Sequence, residues 1–122
     1  MIETIIFPKK KYTVQECCGE LTTYELLETA SSFFSSTHTP NVIWDFSLAQ
    51  LVNISPNAIK QLVFIWSEQN TRWGGGKIAI VAPLDLQYTF SMIFESVPEL
   101  EKANFETKIV SSLGEAKEWF SE

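Results

Sequence analysis

What most constrains this chain is the order of its segments: short runs of β-branched and aromatic residues alternate with amphipathic runs of helical period from one end to the other. Ile2 to Phe7 and Tyr12 to Cys18 predict two strands, and the Pro8 to Lys11 connection is short enough to make them an antiparallel hairpin. Gly19-Glu20 is expected to end the second strand. Thr22 and Glu25 have the spacing of a capping box, opening a helix with Leu26, Leu27, Ala30, Phe33 and Phe34 on one face. Asn41 to Phe46 lacks alternation and predicts a strand buried on both faces, with an irregular stretch after it. Ser55-Pro56 reads as an N-cap followed by a first helical proline. Ile59, Leu62, Val63, Trp66 and Trp73 then repeat at helical spacing.

Lys77 to Val81 predicts another strand, Asp85 to Val97 a helix stopped by Pro98, and Glu106 to Ser111 an edge-like strand. Ser112 with Glu115 repeats the capping spacing before a last helix carrying Leu113, Ala116, Trp119 and Phe120. The order ββαβαβαβα implies an α/β fold, a mixed and mostly parallel sheet of about five strands with an N-terminal antiparallel hairpin and four helices. No repeat or linker divides residues 1–122, so they read as a single domain, long enough to bury a core without disulfides or a structural metal.

Composition excludes several functions. Nine Lys and Arg stand against fifteen Asp and Glu, a net charge of −6, which argues against a nucleic-acid partner or an anionic lipid surface. The basic run Lys9-Lys10-Lys11 reads as a solvated turn. No run is long enough for a membrane span and the first residues do not open a signal peptide, so the expected address is the cytoplasm. The charge is uneven. Residues 41–73 carry only Asp45, Lys60, Glu68 and Arg72, whereas 74–122 hold eight acids and four lysines.

Reactive side chains are few. Gly74-Gly75-Gly76-Lys77 follows a helix and precedes a strand, the reverse of a phosphate loop, and reads as a helix terminus. Cys17 and Cys18 are neighbours that point to opposite faces of a strand, unsuited to a disulfide. His38, the single histidine, has no marked carboxylate or nucleophile partner. No metal cluster or cofactor is implied. Asp45 stands out, because a carboxylate near the carboxyl end of a buried strand needs an amide or cation partner. With Ser47 and Asn53 it marks a candidate site where open α/β sheets usually place one. Ser55 is a helix cap or a candidate phosphoacceptor.

The third helix carries more apolar residues than packing on a sheet requires. Leu86, Phe90, Ile93, Phe94 and Val97 make one stripe, and Leu84, Tyr88 and Met92 a second, spaced by four. Phe64 likewise falls beside the main stripe of the preceding helix. A second stripe of this kind is either core at a wide interface or an exposed apolar patch, and an exposed patch marks a partner, ligand or dimer surface.

The order of elements, the stretch V-I-W-D-F-S at 42–47 running on to N-I-S-P at 53–56, and K-I-A-I-V-A-P at 77–83 resemble the STAS domain. In particular they resemble the stage II sporulation protein AA-like, anti-sigma factor antagonist-like family of bacteria. The resemblance implies a non-enzymatic regulatory module that binds a protein partner, and the candidate surface of Phe64, Leu84, Tyr88 and Met92 adds a homodimer as a further expectation. The resemblance also implies kinase control at the second serine of a D-S-S-G motif, which falls at Ser55. Here Asn53, Ile54 and Pro56 replace the motif's aspartate, first serine and glycine. The related lipid-binding CRAL-TRIO shape supplies the alternative, an apolar ligand beneath the third helix, and an enzyme using Asp45 is the remaining class.

Overall fold

The structure, a computed structural model, describes residues 1–35, 39–51, 54–72, 76–96 and 105–122. Its strands are β1 (Ile2–Phe7), β2 (Tyr12–Glu20), β3 (Asn41–Gln50), β4 (Gly76–Val81) and β5 (Phe105–Val110). Its helices, among the described residues, are α1 (Thr23–Ser35), α2 (Pro56–Arg72), α3 (Leu84–Ser96) and α4 (Leu113–Phe120). The five strands form one sheet in the order β1-β2-β3-β4-β5, with β1 antiparallel to β2 and every other pair parallel. The expected architecture is therefore the observed one, down to the edge position of β5.

Local chemistry explains the element ends. A 3-10 turn at Pro8–Lys10 joins β1 to β2, closed by Lys11 at φ +62° donating its N–H to Pro8 O at 3.3 Å. Thr22 Oγ1 accepts from the Glu25 amide at 3.1 Å, and Ser112 Oγ from the Glu115 amide at 3.2 Å, as their spacing predicts. The Glu25 carboxylate does not complete the box. It lies 3.5 Å from the N-terminal ammonium and ties the start of β1 to α1. At the far end of α4, Lys77 Nζ donates to Trp119 O at 3.1 Å and sits 5.1 Å over the Trp119 ring, so one cation satisfies a terminal carbonyl and an aromatic face.

Two boundaries differ from expectation. β2 continues through Gly19, at φ +72°, to Glu20 instead of ending at Cys18. β3 runs four residues past Phe46 to Gln50, where irregular chain was expected. The reason is a bulge. Glu16 pairs with Asp45 and Cys18 with Leu48, so two residues of β3, Phe46 and Ser47, oppose Cys17 alone. The extra residue breaks the alternation while keeping the strands paired.

β3 is central and buried on both sides. Val42, Trp44 and Phe46 join a core under α1, α2 and α3 that includes Leu26, Leu62, Trp66, Ile80 and Phe90. Ile43 faces the other way, into a smaller core with Val14, Ala79, Val81 and Ala116 under α4. Among the described residues two buried donors lack partners, Gln15 Nε2 and, in the larger core, Trp66 Nε1.

Candidate functional site

Asp45 and Ser47 are brought together by the bulge. Asp45 Oδ1 accepts the Ser47 amide at 3.0 Å and the Ser47 hydroxyl at 2.6 Å. The carboxylate is half-buried, and it braces the bulged backbone by taking an amide that the ladder leaves free. Strand parity fixes where it points. Trp44 and Phe46 face the three helices, so Asp45, between them, faces the α4 side together with Val81, its neighbour on β4. Asn53 lies outside the described residues, as do His38, Trp73, Gly74-Gly75 and Val97.

Ser55 sits at the start of α2, exposed, its Oγ accepting from the Ala58 amide at 3.2 Å. That bond satisfies one of the helix's orphan donors and accounts for the serine as a cap. Ser55→Ala is expected to lower unfolding stability by about 1 kcal/mol, read from urea denaturation. A loss several times larger would show that the hydroxyl does more than cap.

The α3 stripe is outside. Leu84 is 82% exposed, Tyr88 69% and Met92 55%, while Phe90 and Ile93 on the opposite side of the same helix are buried. Phe64 on α2 is 46% exposed. Beneath α3 the interior is filled by rings, with Phe46 and Phe90 5.5 Å apart and Phe90 and Phe94 6.0 Å apart. At the carboxyl ends of β3 and β4, Ala49, Gln50, Leu51, Pro83, Asp85 and Leu86 line an open groove of about 370 Å³ beside the exposed Leu84. The spacing of four in the sequence places the stripe; the groove follows from the β3 extension, which the sequence pattern does not reveal.

The α3 stripe and Asp45 thus lie on opposite faces of the sheet and make two surfaces. Among the described residues no three His, Cys, Asp or Glu side chains converge on a metal-sized site. No described helix is long and apolar enough to cross a membrane.

Cys17 is buried in the larger core, and its thiol pKa is pushed up to about 12, by burial first and by the Asp45 charge second. Its thiolate is scarce at neutral pH, and thiolate is the nucleophile. Native protein treated with iodoacetamide near pH 8 is therefore expected to carry label on half-buried Cys18 alone, with Cys17 reacting only after denaturation. Peptide mass spectrometry that finds both labelled at equal rates would contradict this burial.

Sequence reasoning missed one exposed residue near Asp45. Leu48 is 67% exposed on the α4 side, turned there because the bulge shifts the phase of β3. In the sequence Leu48 keeps step with Val42, Trp44 and Phe46, so the alternation points it to the other face and carries no signal of its exposure.

No protein-family model matches the chain, and no curated protein matches it. Among solved structures the chain is similar to that of the anti-sigma factor antagonist SpoIIAA in its unphosphorylated form. The two share 13% sequence identity at a TM-score of 0.61, over 94% of this chain and 92% of that one. Element order, sheet order and this superposition agree, and the chain has the STAS fold.

Proposed function

We propose that this protein is a non-enzymatic regulatory module that works by docking another protein chain on the exposed face of α3, with a second copy of itself as one such partner. The observation that carries the reading is the stripe of Leu84, Tyr88 and Met92, three large apolar side chains more than half exposed on a helix whose other side is packed in the core. Burying them at an interface removes apolar surface from water at roughly 25 cal/mol per Å². Aromatic and methionine side chains in that position are typical of interface cores. The fold it shares with an anti-sigma factor antagonist supports a regulatory role.

The catalytic alternative has less support, because the Asp45 carboxylate is engaged by the amide and hydroxyl of Ser47 in bracing the bulge. The apolar-ligand alternative meets an interior beneath α3 already filled by Phe46, Phe90 and Phe94.

Sedimentation velocity of wild type and Tyr88→Asp at tens of micromolar tests the self-association form. In about 500 mM salt, where contacts between exposed charges are screened, the wild type is expected to sediment as a dimer and the variant as a monomer, with unchanged circular dichroism because Tyr88 is exposed. A monomeric wild type under these conditions would remove self-association through α3 and leave a different protein as its occupant.

A further inference from the structure

Two surface regions away from α3 are complementary to each other. The first is the part of the sheet that α4 leaves open. α4 packs over β3, β4 and β5, and on the same face no described helix covers the far ends of β1, β2 and β3. Leu48 is exposed there, next to Cys18. Glu3, Glu16 and Asp45 stand beside it in register across three strands. Like charges directly opposite one another destabilise a sheet, and no ion pair relieves them among the described residues.

The second region is the hairpin tip, at the other end of β1 and roughly 17 Å along the strand from Glu3. Lys9, Lys10 and Lys11 are exposed there and lack ion-pair partners among the described residues. Beside them Ile6, Phe7 and Pro8, with Lys9 and Lys10, line an open and largely apolar groove of about 370 Å³.

We propose that the hairpin tip of one copy docks on the open sheet face of the next. Lys9, Lys10 and Lys11 meet Glu3, Glu16 and Asp45, and Leu48 enters the groove of Ile6, Phe7 and Pro8. Each region supplies what the other lacks, charge for charge and an apolar side chain for an apolar groove. Because the two patches differ, each contact joins a tip to a sheet face: copies either chain head to tail or, lying antiparallel, close as a pair with both tips docked. The contact is independent of α3. An apolar α3 contact resists salt, whereas a contact between exposed charges is screened by it.

The test uses the Tyr88→Asp chain, so that association through α3 is absent. Sedimentation in about 50 mM salt is expected to show concentration-dependent assembly, with the association constant falling at least roughly tenfold in about 500 mM salt. Two further variants are made in that chain, Lys9→Gln with Lys10→Gln and Lys11→Gln, and Glu3→Gln with Glu16→Gln and Asp45→Asn. Each alone is expected to be monomeric. Mixed in equal amounts they are expected to form a one-to-one pair and nothing larger, since each retains one intact patch.

A Tyr88→Asp chain that stays monomeric in low salt up to hundreds of micromolar would overturn the proposal. So would assembly unaffected by salt, loss in only one of the two neutralised variants, or a mixture that stays monomeric.

Discussion

Gly76→Ala is expected to lose about 4 kcal/mol or more of stability, a large share of the roughly 5–15 kcal/mol that typically holds a domain folded. Gly76 opens β4 at φ +146°, where L side chains are strained, and an added Cβ would lie 1.7 Å from the Pro40 carbonyl oxygen and 2.7 Å from its carbon. These are backbone atoms and cannot swing aside. Moving them pulls at the edge of β3, where Asn41 Oδ1 accepts the Lys77 amide at 3.0 Å. Gly19 is the control. It too has positive φ, +72°, but nothing lies within 4 Å of the place an alanine methyl would take. Gly19→Ala therefore carries only the conformational cost, about 1 kcal/mol. Urea denaturation of the two variants reads the difference directly. Equal losses would mean that the Pro40 contact yields.

Trp66→Ala is expected to cost about 3–5 kcal/mol, and Trp66→Phe far less than the lost ring volume alone implies. Trp66 is fully buried and packs 5.4 Å from Trp44 in the middle of the larger core. Truncation to alanine leaves a cavity under α2 that close-packed neighbours fill only in part. Phenylalanine also leaves space, but it removes an indole N–H with no acceptor, and an unsatisfied buried donor itself costs about 1–3 kcal/mol. The two terms oppose one another, so Trp66→Phe should fall within about 1–2 kcal/mol of wild type. A phenylalanine variant as unstable as the alanine one would show that the indole nitrogen has a partner in solution.

The elements were legible in the sequence because each carries its own periodicity. The hydroxyls of Thr22, Ser55 and Ser112 each accept the amide three residues on, as expected of caps, and NVIWDF is the doubly buried central strand that its lack of alternation suggests. The course of β3 beyond Phe46 was hidden because the bulge makes facing depart from sequence spacing: Leu48 keeps step with Trp44 and Phe46 along the chain yet turns to the other face. The partner of Glu25 was hidden because it depends on where the N-terminus comes to rest, a tertiary fact.

The candidate site was legible only in pieces. Leu84, Tyr88 and Met92 share a helix face by simple spacing, and their exposure follows once Phe90 and Ile93 claim the core. Asp45 could be singled out, and its engagement by Ser47 fits the reading that it accepts bonds from nearby chain. What the one-dimensional pattern lacks is the parity of β3 relative to the two helical layers, which puts Asp45 on the opposite face from α3. The hairpin groove at Ile6, Phe7 and Pro8 is likewise a product of how β1 lies at the sheet edge.

Whether α3 presents a docking surface is read most directly from the methyl resonance of Met92, one of only two methionines in the chain. Recorded as the protein is concentrated in high salt, where contacts between exposed charges are screened, that resonance is expected to shift and broaden together with those of Leu84 and Tyr88. Met1 should stay unchanged. Association seen by sedimentation with no change at Met92, or with changes confined to other faces, would show that α3 is not the docking face.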